Sequence, residues 1–331
     1  MKSASRWLAA SAALVLVITS ISAYLRLSQY GLGCADWPAC YGANPLGEAP
    51  LSESDPLFWP RVVHRITATS AGLLFVAIAL FWWNAWESAR ERVLSVAPLA
   101  LALFLAWLGR YTPSTLPAVT IGNLLGGMAT LAVLWWLRSA ALAHRSAHRA
   151  DAAPAVAGPA GIGLALVFAQ MALGALVSAR FAAAACPGFP GCGAWEGTFE
   201  LSGLNPFADI ARQALGEHTR QVLHMMHRYA GAAVALYLAW LGAREMALGG
   251  PRRGLGLLLL GLVAAQIALS AALVLLKVPL GMAVAHNVIA ALLILNLVTL
   301  LAGGEANCAA SSKEGPGRNA ALPEVHEHAR H

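Results

Sequence analysis

Long apolar runs alternate with short polar breaks along this chain, and the runs are too long and too evenly apolar to be strands or the one-sided stripes of soluble helices. Eight of them are long enough to cross a bilayer as helices, at roughly 7–25, 60–83, 93–111, 116–137, 159–180, 219–242, 254–276 and 279–302. The first follows Lys2 and Arg6 in the manner of a signal peptide. It runs on into Tyr24-Leu25-Arg26-Leu27 without a small-residue cleavage site and is read as a retained helix. Composition agrees with this pattern: of 331 residues, 58% are hydrophobic and 11% charged, against about 45–50% and about 25% in soluble domains. A soluble fold is excluded, and an all-α integral membrane protein with no large soluble domain is predicted. The net charge of +6 is no nucleic-acid footprint, because the basic residues are scattered between apolar runs and form no stripe.

The same basic residues set the topology. With the N-terminus in the cytoplasm, thirteen of the twenty-two Lys and Arg fall on inner segments (Lys2, Arg6, Arg90, Arg92, Arg138, Arg145, Arg149, Arg244, Arg252, Arg253, Lys313, Arg318 and Arg330). Three of the other nine, Arg65, Arg220 and Arg228, lie in or at the mouth of helices, so both termini are expected inside. In a bacterial inner membrane the two long outer loops, 26–59 and 181–218, then face the oxidising periplasm, and each holds one C-x5-C pair: Cys34 with Cys40, and Cys186 with Cys192. Each pair can bridge; four free thiols at matched spacing is the alternative. Cys308 stands alone in a polar tail, 303–331, that reads as disordered. His326, His328 and His331 in that tail could bind metal weakly or simply be solvated.

The two loops also reveal a repeat. Each half reads helix, long outer loop with a cysteine pair, helix with His-Arg near its start, short inner loop, helix, tight outer turn with Pro, helix. His64-Arg65 is matched by His227-Arg228, and Pro117 by Pro279. The chain divides into an N-terminal four-helix bundle (1–137), a cytoplasmic linker (138–158), a C-terminal four-helix bundle (159–302) and the tail. Both halves begin inside, so the bundles are parallel repeats, pseudo-symmetric about the membrane normal, and each could hold a cofactor.

Ionisable residues inside a span are costly and point to function. Four histidines qualify: His64, His224, His227 and His286. Counting from Pro60, His218 and Pro279, the positions of His64, His227 and His286 lie about 6–14 Å below the outer edge at the α-helical rise. Imidazoles at one depth on helices 6 and 8 are what bis-axial ligation of a haem iron requires; hydrogen bonding between helices is the plainer role for a single buried His. His224 lies one turn from His227 and is the other candidate ligand. Arg65 and Arg228 suit haem propionates, or snorkel to lipid phosphate. In helix 4 the position matching His286 or Asn287 is Asn123, a poor iron ligand, so His64 would be the only protein ligand of an N-terminal haem, and Gly122, Gly126 and Gly127 would leave room for a flat ligand.

These residues resemble the haem A synthase family over about 7–302. The most specific stretch is Arg26-Leu27-Ser28-Gln29-Tyr30-Gly31-Leu32-Gly33-Cys34-Ala35-Asp36-Trp37-Pro38-Ala39-Cys40-Tyr41-Gly42, similar to the family's first outer loop; Phe58-Trp59 before His64-Arg65 is similar to its helix 2 motif. The resemblance implies two four-helix bundles. It implies haem b held by His227 and His286, and haem O, the substrate, received near His64, with its C8 methyl oxidised to the formyl of haem A for cytochrome oxidase. It implies outer cysteine pairs at Cys34, Cys40, Cys186 and Cys192, and as partners a haem O-supplying farnesyltransferase and oxidase assembly proteins, with a homo-oligomer open. Two positions depart from the family: Arg61 stands where a Glu is usual three residues before the helix 2 His, and Asn123 where a helix 4 His is usual. Glu48, Glu53 and Asp55 precede helix 2, but spacing alone brings none of them to His64. These departures keep a second reading open, a non-catalytic protein of the same fold that binds or hands over haem. A quinol-linked cytochrome b-like carrier ranks behind both, since it would want two complete His pairs across the membrane.

Overall fold

The computed structural model describes residues 2–29, 55–86, 88–112, 114–143, 157–192 and 197–313. The first outer loop with Cys34, Cys40, Glu48 and Glu53, most of the linker, and the tail with its three histidines lie outside the described residues. Among those described the regular structure is helical: α1 (Lys2–Gln29), α2 (Phe58–Trp82), α3 (Ala89–Gly109), α4 (Pro117–Ala143), α5 (Ala157–Ala179), α6 (Glu217–Leu248), α7 (Gly250–Leu275) and α8 (Leu280–Lys313), with two short 3-10 turns at Trp83–Ala85 and Leu201–Leu204. An all-α integral membrane protein is what the apolar runs predict.

Each predicted span is a helix, and seven of the eight helices are long and apolar enough to cross a membrane on that ground alone. The exception is α6, whose polar load includes Glu217, His218, Arg220, His224, His227, Arg228, Arg244 and Glu245. Its 32 residues give ample length; what lowers its apolarity is the concentration of site residues. Helix ends run past the apolar windows. α8 continues through Lys313, so the first part of the segment expected to be a disordered tail is helical, carried by the strong helix formers Ala306, Ala309 and Ala310.

Packing follows two rings of neighbours. α1 touches α2 and α4, and α3 touches α2 and α4; in the same way α5 touches α6 and α8, and α7 touches α6 and α8. The rings meet through α4 and α8, with α1 on α8 and α4 on α5 completing the seam. The main core lies along that seam, where Leu131, Leu134 and Leu137 of α4 and Ile294 and Leu297 of α8 are fully buried with Leu8 of α1. α6 and α7 approach each other tightly at Gly242 and Gly256, where a Cβ on Gly256 would stand 2.5 Å from the Gly242 carbonyl oxygen, so only glycine permits this approach.

The second outer loop does not stay over its own ring. The Ala118 amide donates to the Pro206 carbonyl at 2.8 Å and the Ile210 amide to the Thr115 carbonyl at 3.0 Å, so residues 206–210 are stitched to the turn that opens α4. At the opposite end of α4, Arg90 lies 4.8 Å over the Trp136 ring and Arg138 lies 4.4 Å over Trp135. The Trp135 indole N–H reaches Thr299 of α8 at 2.8 Å. Cations and indoles meet there as they do at a membrane interface.

Candidate functional site

The densest chemistry sits in the outer half of the second ring. Spacing on α6 puts His224 and His227 one turn apart and Gly231 one turn further. His227 turns toward α5, where its Nδ1 is 2.9 Å from the side-chain amide of Gln170; that amide also donates to the His227 main-chain oxygen at 2.8 Å. Two glycines make this possible. A Cβ on Gly174 would lie 2.8 Å from Cε1 of His227, and one on Gly231 would lie 2.9 Å from the Gln170 nitrogen, so each helix leaves a notch for the other's polar side chain.

Across the ring, His286 of α8 is engaged by α7. The Gln266 amide lies 3.2 Å from Nε2 of His286 and donates to its main-chain oxygen at 3.3 Å, while the Ser270 hydroxyl lies 3.4 Å from Nδ1. His227 and His286 are both half-buried. His224 points elsewhere: it is buried, and its Nδ1 meets the Ala182 carbonyl oxygen at 2.9 Å, under the outer loop. Of the two neighbouring candidates on α6, His227 is the one whose ring meets a side chain of the next helix, while that of His224 meets a loop carbonyl. Among the described residues no three His, Cys, Asp or Glu side chains converge as a ligand set.

Above this pair the outer loop is pinned. Cys186 and Cys192 are joined as a disulfide. The Arg228 guanidinium reaches into the closed loop, donating from Nη1 to the carbonyls of Gly188 (2.7 Å), Pro190 (3.1 Å) and Gly191 (3.4 Å) and from Nη2 to that of Cys186 (2.8 Å). Its Nη groups are thus taken up by backbone, and its Nε is buried without a partner. Arg180, a residue the sequence reading passed over, is only 3% exposed, just beyond α5. It donates to the carbonyls of Ser202 and Asn205 and keeps Nε and Nη1 buried without partners, and burial pulls its pKa below the ordinary arginine value.

The first ring is organised differently. His64 is half-buried near the outer end of α2, with Arg65 beside it on the exposed side. Asp55 is held at the start of α2 by the Leu57 amide and by an ion pair to Arg61, 2.7 Å from Oδ2 to Nη1. Asn123 donates to the Thr112 hydroxyl at 3.0 Å, at the α3–α4 turn. The glycines of α4 correct an expectation: the room beside them is filled by protein. A Cβ on Gly122 would meet Leu108 at 2.7 Å, one on Gly126 would meet Leu105 at 2.8 Å, and one on Gly127 would meet Thr19 at 2.9 Å, so they serve the packing of α3 and α1 on α4. Open space lies instead between α1 and α2, in a cleft of about 480 Å³ lined by Ser20, Ile21, Tyr24, Trp59, Pro60 and Val63, on the turn of α2 that precedes His64.

Comparison with known proteins gives this geometry a family. Residues 5–298 match the COX15-CtaA model, described as a cytochrome oxidase assembly protein. The chain belongs to the COX15-CtaA family. It is similar, at 32% identity over 86% of its length and 92% of the relative's, to a protein of Shewanella oneidensis named haem A synthase. Relatives of the same name from Maricaulis maris, at 28% identity over 90% of this chain and 94% of the relative, and Rhizorhabdus wittichii, at 26% over 89% and 92%, extend the likeness.

Proposed function

We propose that this protein is a haem A synthase, a membrane oxidoreductase that converts haem O to haem A by oxidising the C8 methyl to a formyl group for cytochrome oxidase assembly. The observation that carries the proposal is the match of nearly the whole chain to relatives that bear that name, supported by two intramembrane histidines, His227 and His286, each met by a side-chain amide of the neighbouring helix. The residues present fit a haem. Two imidazoles stand in an apolar bundle, each beside a side-chain amide of the neighbouring helix that fixes its orientation.

In this reading His227 and His286 hold haem b, and His64 is the substrate-side ligand or neighbour. Arg65 and the Nε of Arg228 are the cations available to propionates. Bound haem b supplies one-electron transfer. The protein's own residues bind and orient: the glutamines fix the imidazoles, the apolar faces of the helices exclude water, and Arg228 with the Cys186–Cys192 disulfide keeps the outer loop closed over α6. The setting is the bacterial inner membrane with both termini cytoplasmic, and the partners are a farnesyltransferase that delivers haem O and the oxidase assembly proteins that receive haem A. Expression in a synthase-deficient host tests this. Haem A is expected in its membranes with the wild-type chain and absent with His227→Ala or His286→Ala; no haem A from the wild-type chain overturns the proposal.

A second reading, haem binding or handover without catalysis, draws on the first ring, where Arg61 is tied to Asp55 and Asn123 to Thr112. It predicts full haem b with no conversion of haem O, and synthase activity gained when Glu and His are restored at 61 and 123.

A further inference from the structure

α2 shows three different sides where it passes His64. At about 100° per residue, Trp59 and Val63 stand on one side of the helix and Arg61 and Arg65 almost opposite, with His64 between them. Pro60 falls one turn before His64 on nearly the same line. The first side faces Ser20, Ile21 and Tyr24 of α1 across the cleft of about 480 Å³, a size within the range of about 300–1,000 Å³ that holds small molecules. No charged side chain lines this cleft. The Ser20 hydroxyl is turned back to the Leu16 carbonyl at 2.7 Å, so the walls are apolar but for the Tyr24 hydroxyl and the Trp59 indole N–H. Trp59 and Val63 are exposed, and α1 and α2 are both long and apolar enough to span a membrane, so the cleft opens sideways toward lipid. On the other side Arg61 is paired with Asp55, which leaves Arg65 to carry the charge there among the described residues. An uncharged hollow on one flank of His64 and a cation on the other complement a ligand that is hydrocarbon at one end and anionic at the other.

We propose that the cleft between α1 and α2 seats the isoprenoid tail of haem O, and that Ile21 and Val63 make the first ring select a tailed haem over haem b. This inference rests on the reading that haem O is received near His64. Haem O differs from haem b in carrying a hydroxyethylfarnesyl chain where haem b has a vinyl group, and that chain and the two propionates leave opposite edges of the plate. A protein that handles both haems has the tail as its means of telling them apart. Bilayer and cleft are both apolar, so the tail gains little by leaving lipid. The gain lies in close contacts with the walls and in a fixed rotation of the plate beside His64, with the tail toward α1 and the carboxylates toward Arg65.

The test uses the purified holoprotein, its own haem b in place, in phosphatidylcholine nanodiscs, with the variants Ile21→Trp and Val63→Trp, which fill the cleft from α1 and from α2. Haem O and haem b are each added and their uptake is followed by optical titration. The wild type is expected to bind added haem O about tenfold more tightly than added haem b, and each variant to bring the two within about twofold by weakening haem O alone. Undiminished preference for haem O in both variants overturns the inference and leaves the cleft to the acyl chains of the bilayer. Equal weakening of both haems in both variants overturns it as well, because the cleft would then serve the plate and not the tail. If one variant fails to fold, the other decides alone. The wild type separates the two levels: uptake of both haems alike overturns only the inference, whereas uptake of neither overturns the reading that haem O is received here.

Discussion

Asp55 spends both carboxylate oxygens at the start of α2: Oδ1 accepts the Leu57 amide at 2.8 Å and Oδ2 lies 2.7 Å from Nη1 of Arg61. Replacing Asp55 with Ala removes a backbone bond and an ion pair together and is expected to cost about 1–2 kcal/mol at this helix start, read as faster hydrogen exchange of the Phe58 and Arg61 amides. The pair also bears on restoring a glutamate at position 61. Arg61→Glu alone sets two carboxylates side by side with no cation, and it is expected to loosen α2; combined with Asp55→Asn, it is expected to recover the thermal stability that the single change loses.

Gly174→Ala places a methyl 2.8 Å from the His227 ring, and Gly231→Ala places one 2.9 Å from the Gln170 amide. Neither replaces a candidate ligand. Both are expected to shift the spectrum of bound haem and lower its retention severalfold, by less than His227→Ala does. Haem extraction and optical spectra of the purified variants check this.

Arg228→Lys keeps the charge but loses the planar fork that serves four carbonyls. Residues 186–192 are expected to become protease-sensitive in this variant while the disulfide remains intact. Reduction of the disulfide in the wild type is expected to give the same cleavage pattern, because Arg228 then loses the alignment of its acceptors.

The carboxyl of Asp209, in the outer loop, lies below the ordinary carboxylate range, first because of its hydrogen bond with the Thr115 side chain and next because the Ala211 amide donates to it. A lowered folded pKa contributes stability in full above the unfolded value of about 3.9 and loses it as pH falls through the folded one. The Ile210 amide, bonded to Thr115 at 3.0 Å, is therefore expected to keep its exchange protection at neutral pH and lose it below about pH 4. Asp209→Asn should abolish that dependence.

The eight helices were legible because apolar runs of this length have no other stable form in a bilayer. Their ends were not, since nothing in hydropathy stops α8 before Lys313 once alanines keep propagating it. His227 and His286 could be singled out as ionisable groups at one depth, and the same rule, applied to amides as well as to charges, would have found Gln170 and Gln266. The glycines of α4 were misread for a different reason. A missing side chain is visible in sequence, but what fills its place depends on which helix packs there, and here that is Leu105, Leu108 and Thr19. The Asp55–Arg61 pair and the Arg228 clamp also depend on loop paths that pattern does not encode.

The stitching of residues 206–210 to Thr115 and Ala118 sets an order on biogenesis. The outer face of the first half stays unfinished until α5 has been inserted and the chain has emerged again on that side. A truncated product ending before α5 would thus lack the cover over its α3–α4 turn, and the two halves, supplied as separate polypeptides, would have to find each other before either had a complete outer surface.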